Sequence, residues 1–478
     1  MNNNTVSNPA GYRLRHALLP LLAALVLAGC ATPPAIDPAA LPVVPAAFKE
    51  RDGSWTPVAA AETQARGTWW LVFRDPALDE LVERAGRTNN SIQVAAARLA
   101  QARALLRSAD ADRMPQLGGA LGASRGTVAG SGLVPAPVAT TITAGLNLSY
   151  EVDLVGRLRG ASNAVALDAQ SREALLQSTR LVVQADVAQT YLALRALDEE
   201  RALVRDTAKA YRDTLDLTER RHRAGDVAEL DVARVRTQVA ATDSDALALD
   251  RRRAELEHAL AVLVGEASSN FSLPPAAWST ALPLIPAGVP STVLARRPDV
   301  SAAQRTMQAA NVRVGVAQAA WFPSLSLTAA GGYASPELGD LFKWSARAWG
   351  IGALSALPIF DGGRRAAGVQ NAQGELDASL ASYREQVLVA FRDVEDQLSA
   401  LRLLAQQSEA QSRAVESATR ATTLSNSRYR NGLVSQLDLL DAQRSELQNR
   451  RQALQVRSAQ YQATVGLVRA LGGGWGAA

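Results

Sequence analysis

Residues 221–231 of this chain return at 428–438. Arg221, Arg223, Gly225, Val227, Leu230 and Asp231 recur as Arg428, Arg430, Gly432, Val434, Leu437 and Asp438, at an offset of 207. At an offset of 208, Pro115 and Leu117 meet Pro323 and Leu325, and Asp153 meets Asp361; Gly156-Arg157 meets Gly363-Arg364 after a one-residue gap. Self-similarity at this spacing means two tandem copies of one unit, here about 88–268 and 296–471 of the 478 residues. The flanks are a leader (1–29), an N-terminal tether and equatorial segment (30–87), a linker (269–295) and a Gly-rich tail (472–478).

Each copy runs helix, two strands, long helix, Gly-containing turn, long helix. The strands follow from alternation. Ile142, Ala144, Leu146, Leu148, Tyr150 and Val152 interleave with Thr143, Gly145, Asn147, Ser149, Glu151 and Asp153, which predicts a strand with one apolar and one polar face over 142–153. Residues 324–333 repeat the pattern, and 116–124 and 348–360 carry weaker versions. Helix is predicted from about 161 to 223 and from about 364 to 430, where Pro is absent and Gly scarce. About 60 residues at 1.5 Å each extend roughly 90 Å. Leu380, Val387, Val394 and Leu401 are spaced by seven, as are Leu440, Leu447, Leu454, Tyr461 and Val468, so both helices ask for a partner helix.

The first thirty residues place the chain. Arg13 and Arg15, an apolar run from Ala17 to Leu27, then Leu27-Ala28-Gly29-Cys30 form the three regions of a secretory signal. Its ending resembles the bacterial lipobox, which implies cleavage before Cys30 and acylation of that residue. Ala31, in place of Asp, follows the cysteine and favours sorting to the outer membrane. Five prolines between Ala31 and Pro45 make that stretch an extended tether. Without Arg13 and Arg15 the net charge of +4 falls to +2, too balanced for nucleic-acid binding. The apolar run of the leader is the only one approaching the ~20 residues of a helical span, which excludes a polytopic helical membrane protein.

Four half-apolar strands per chain cannot lie in lipid as an open sheet, because the edges would leave backbone groups unpaired. Closure has to come from other copies. Three chains would supply a twelve-stranded barrel with a polar lumen lined by the Asn147, Ser149 and Glu151 face. The long helices, side by side, would continue it as a helical barrel.

Trp69-Trp70-Leu71-Val72-Phe73-Arg74-Asp75-Pro76, Arg296-Arg297-Pro298-Asp299-Val300, Trp321-Phe322-Pro323-Ser324-Leu325 and Tyr429-Arg430-Asn431-Gly432 with Leu437-Asp438-Leu439-Leu440-Asp441 carry a resemblance across the mature chain. It is similar to outer-membrane factors of the TolC/OprM family, in particular the NodT-type lipoproteins of tripartite efflux systems. The resemblance implies a mixed α/β membrane protein: a homotrimeric twelve-stranded outer-membrane β-barrel, a mixed equatorial region and a long periplasmic α-helical barrel. It implies as partners a periplasmic adaptor (membrane fusion protein) and an inner-membrane transporter of the RND type. No cofactor is implied beyond the covalent lipid on Cys30, and no nucleic acid.

The same resemblance places a periplasmic aperture at Leu437, Asp438 and Asp441, where threefold symmetry would gather carboxylates around one axis. It makes Asp231 and Tyr429 closed-state contacts, the tyrosine hydroxyl donating to the acid. Val434 stands where some relatives carry an arginine, and Arg234 where the first copy would repeat Asp441; Arg223 and Arg430 are reserve ion-pair candidates. The turns at Gly225 and Gly432, flanked by Arg221 and Arg428, are the expected adaptor docking points, with the glycines supplying positive φ.

No nucleophile elbow, phosphate loop or metal-ligand spacing is present, and the one cysteine and three histidines build no catalytic pair, so an enzyme is not expected. Gly331-Gly332 and Gly362-Gly363 are read as a strand bend and a strand-to-helix exit. Two other readings stay open: a type I protein-secretion channel, and a structural coiled-coil periplasmic lipoprotein. The second leaves the amphipathic strands and the duplication unexplained.

Overall fold

The computed structural model describes residues 35–45, 47–50, 67–127, 138–283 and 296–473. The leader, Cys30 and the first residues of the tether lie outside the described residues, as does the tail beyond Gly473. The main elements are α1 (Pro76–Thr88), α2 (Asn90–Ala111), β1 (Gln116–Thr127), β2 (Val138–Val152), α3 (Arg157–Arg223) and α4 (Glu229–Leu263), then α5 (Pro298–Ala319), β3 (Ser324–Ser335), β4 (Arg347–Ala356), α6 (Arg364–Arg430) and α7 (Gln436–Ala470). Both α3 and α6 have 67 residues, and both α4 and α7 have 35. No helix among the described residues is long and apolar enough to cross a membrane.

Two compact units emerge, and neither is a sequence repeat. One gathers residues 99–172 and 303–383, the other 42–98, 173–302 and 384–478. Each therefore draws on both copies.

The first unit carries an antiparallel sheet in the order β1-β2-β3-β4, so the central β2–β3 ladder joins the copies. Leu117 lies opposite Leu148, Leu146 opposite Gly331, Tyr150 opposite Leu327, and Gly331 opposite Trp349. Directly opposed residues share a face. The register thus sends the apolar set of every strand to one side and the Thr, Ser, Asn and Gly set to the other. Leu121, Ile351 and Trp349 on the apolar side are 85%, 81% and 75% exposed, more than water tolerates in one contiguous patch.

The glycine pair 331–332 marks a close approach of two strands inside β3, in place of the expected bend. Gly332 faces Gly145 across the ladder, and a Cβ on Gly332 would overlap the Ala144 carbonyl oxygen and the Gly145 Cα, whereas Gly331 has open space. Gly332→Ala should therefore lower the thermal unfolding midpoint of the purified protein by an amount equivalent to about 1–3 kcal/mol, the cost of overpacking. Gly331→Ala should leave it near wild type; equal midpoints for the two variants would refute the close approach.

The recurrence of Asp153 as Asp361 has a capping origin. Asp153 accepts from the Leu158 and Arg159 N–H groups at 3.1 and 2.8 Å, and Asp361 from Gly363 and Arg365, both at 3.1 Å. Each carboxylate satisfies otherwise orphaned donors at the start of a long helix. Gly156, Gly362 and Gly363 turn the chain there with φ of 79°, 64° and 90°. The second glycine pair is thus a helix entry, as its sequence position suggests.

The second unit centres on Asp75. It caps α1, accepting from Ala77 and Leu78 N–H groups, and takes hydrogen bonds from the Tyr191 hydroxyl and the Thr280 hydroxyl, each at 2.9 Å. Burial pushes the Tyr191 phenol up to about 12, the neighbouring Asp75 adding to it and Arg195 opposing it. Trp69, Phe73, Trp278 and Tyr461 pack beside this hub, with the last two ring centroids 4.7 Å apart. Buried Arg297 binds Asp299 at 2.6 Å, Asp393 at 3.2 Å and the Ala470 carbonyl at 3.2 Å. At the tether end, Glu395 accepts from the Lys49 and Glu50 N–H groups at 2.6 and 2.9 Å.

Candidate functional site

The hairpin turns of the second unit hold every proposed site residue except Cys30. Both long helices stop the same way. The Gly225 N–H donates to the His222 carbonyl and that of Asp226 to Arg221; Gly432 donates to Tyr429 and Leu433 to Arg428. These are six-to-one and five-to-two closures, which need a left-handed residue, and Gly225 and Gly432 supply φ of 83° and 70°. Basic residues crowd both last turns, where the helix C-terminus favours them: Arg220 to Arg223 on α3, Arg428 and Arg430 on α6.

The following helices start differently. Helix α7 opens with a capping box in which Asp438 N–H donates to Ser435 Oγ while the Asp438 carboxylate accepts from the Ser435 N–H at 3.0 Å and hydroxyl at 2.7 Å. Those bonds, the Ser435 hydroxyl's first, hold the Asp438 carboxyl below the usual range. Asp438 is therefore committed to its own helix. Asp441, one turn on, is well exposed and 3.8 Å from Arg444, and Leu437 is 42% exposed. Helix α4 has no side-chain cap at Ala228.

The expected hydrogen bond between Asp231 and Tyr429 is not formed within the chain. Asp231 lies 3.6 Å from Arg234, its neighbour one turn along the same helix face. The Tyr429 hydroxyl is buried without a hydrogen-bond partner, and Arg221 stacks over its ring at 4.9 Å. Arg221 is thus engaged with Tyr429, whereas Arg428 is exposed. The local pair forms because Arg234 is three residues from Asp231, while Tyr429 sits on the other hairpin with its ring held under Arg221.

Two features escaped sequence reasoning. Arg444 Nε donates to Gln238 at 2.5 Å, bonding α7 to α4, and Gln436 is buried with neither amide atom partnered. The i+3 spacing from Asp441 to Arg444 was readable; the reach to another hairpin was not. Above the turn, Tyr211, Val235 and Leu440 form a small core that packs the first hairpin against α7, and burial pushes the Tyr211 phenol up to about 12.

The family model described as outer membrane efflux protein matches residues 81–266 and 289–473. The chain belongs to the outer membrane efflux protein family. It is 33% identical over 468 residues to the solvent efflux pump outer membrane protein SrpC of Pseudomonas putida, covering 96% of this chain and 98% of that one. The cation efflux system protein CusC of Escherichia coli is 32% identical, again covering 96% and 98%. The solved outer-membrane channel OprN superposes with a TM-score of 0.84 at 30% identity, over 93% of this chain and all of that one. This outer membrane efflux protein is accordingly an outer-membrane channel subunit of an efflux pump, and its fold joins four barrel strands per chain to long helical hairpins. It resides in the outer membrane of a Gram-negative bacterium and extends into the periplasm.

Proposed function

We propose that the chain assembles as a homotrimer, acylated at Cys30, that passively conducts small molecules from periplasm to exterior and is gated at its periplasmic tip. The observation that carries this reading is the register-aligned sheet: one face apolar and exposed, the other small and polar, with β1 and β4 left as open edges. Those edges need partners in lipid, and copies of the same chain offer them in a closed ring. The turns at Gly225 and Gly432 present the exposed ends that a periplasmic adaptor would engage, and an RND-type transporter would load the conduit. Relatives named for solvent and cation efflux favour small-molecule export over protein secretion.

At the tip, Asp441 and Leu437 narrow the pore, while Asp438 keeps the helix start rigid. Single-channel conductance in planar bilayers separates these roles. Asp441→Ala should raise a small wild-type conductance clearly, and Asp438→Asn, which keeps a cap acceptor, should change it less. Equal and substantial conductance in wild type and Asp441→Ala would discard the gate at this turn. A trimer without pore-forming activity in any variant would discard the channel.

A further inference from the structure

The polar face of the sheet is almost without charge. It comprises 24 positions: the even-numbered residues of β1, β3 and β4 and the odd-numbered residues of β2. Thirteen of them are Gly or Ala, so few side chains stand up from the surface. The polar remainder is hydroxyl and amide, such as Thr143, Asn147, Ser149 and Thr328. Glu151 alone is ionisable, and both its carboxylate oxygens accept from Arg157, at 2.7 and 2.8 Å. The one charge on this face is therefore neutralised where it stands. Arg125 and Arg347, the cations of the strands, lie on the opposite face.

We propose that the membrane barrel of this channel is a charge-neutral passage that discriminates neither by the sign of a solute's charge nor in favour of metal cations. The proposal rests on the channel reading above, in which this face lines the lumen. Selectivity for ionic sign needs fixed charges close to the path, as rings of carboxylates or cations supply. Low-dielectric walls would focus the field of any such ring along the lumen. Here three chains contribute hydroxyl, amide and backbone, together with three Glu151–Arg157 pairs of zero net charge. On this face a metal cation meets no carboxylate free of a cationic partner, and a bulky organic molecule meets few long side chains, chiefly Gln116, Glu151 and Leu354.

Reversal potentials of the purified trimer in a tenfold KCl gradient test this, with K⁺ and Cl⁻ as probes. A channel ideally selective for one ion would reverse at about 59 mV, one tenfold step for a single charge. With the tip carboxylates removed by Asp438→Asn and Asp441→Asn, the channel should reverse close to zero, because the two ions move at similar speeds in water. Thr143→Asp places three carboxylates in the lumen and should shift reversal toward the K⁺ limit; Thr143→Lys should shift it toward the Cl⁻ limit. Thr328→Asp, on the neighbouring strand of the same face, repeats the test should the Thr143 variants fail to assemble. A wild type reversing beyond half the limit, and still doing so after Asp438→Asn with Asp441→Asn, would overturn the proposal. So would conducting trimers whose reversal ignores charges at both 143 and 328. A trimer that conducts nothing would instead remove the channel reading itself.

Discussion

Arginine in place of Leu146 should eliminate assembled protein from the outer membrane, whereas arginine in place of Asn147 should leave assembly largely intact. The two residues are adjacent on β2 and, by the period of a strand, point to opposite faces. Leu146 belongs to the exposed apolar face, opposite Gly119 on one side and Gly331 on the other. A lipid-facing arginine near the bilayer midplane costs about 2–4 kcal/mol, and a trimer meets that cost at three sites. Asn147 stands opposite Gly118 and Ala330, on a face with room for a longer side chain that stays hydrated. The measurement is the amount of heat-modifiable trimer in the outer-membrane fraction. If both variants assemble equally well, the assignment of faces is wrong; if only the Asn147 variant is lost, it is inverted.

The second large effect is expected far from any pore. Asp75→Ala removes in one step the cap of α1 and the acceptor for two hydroxyls, those of Tyr191 and Thr280. A lost cap costs about 1 kcal/mol. A buried hydroxyl stripped of its partner costs about 1–3 kcal/mol. A loss of about 3 kcal/mol follows, concentrated where residues 269–283 are held against the helices. Other ties hold that stretch as well: the Leu273 N–H donates to Glu257 at 2.6 Å, the Pro274 and Trp278 carbonyls accept from Arg195 and Arg457 at 2.8 and 3.2 Å, and Phe271 and Trp278 are buried. Asp75 joins it through the Thr280 hydroxyl to the start of α1. Hydrogen exchange should therefore accelerate in 269–283 and α1 well before the hairpins loosen, and Asp75→Asn, which keeps an acceptor, should recover at least half the protection. Uniform acceleration along the whole chain would show instead that Asp75 supports global stability without anchoring this segment.

Much of this was legible beforehand. The long helices were readable because nothing in 161–223 or 364–430 interrupts them, and their observed ends, Arg157–Arg223 and Arg364–Arg430, fall at the turns the repeat marked. The strands were readable because alternation leaves one arrangement that buries or lipidates one side. Local signals also foretold the turn glycines, whose positive φ is a property of two or three residues. The site was less legible. Asp438 looks identical in sequence whether or not it closes a capping box with Ser435, because that depends on the side-chain rotamer and on where α7 begins. Within the chain Asp231 faces Arg234 and not Tyr429, because a partner one turn away on the same helix costs less ordering than one on a second hairpin.

The sequence by itself determined the duplication, the order and approximate lengths of the elements, and the two-faced character of each strand, since all of these follow from periodicities of two, of three to four and of seven along one chain. Only the tertiary structure decided how the strands register, and that is what puts four apolar faces on one side and leaves the other nearly uncharged: a shift of one residue in any ladder would have reversed one strand's contribution. The tertiary structure alone also revealed Asp75 as a shared acceptor for groups 116 and 205 residues away. Contacts at that separation carry no local pattern, because they are fixed by the packing of elements whose sequences encode only their own faces.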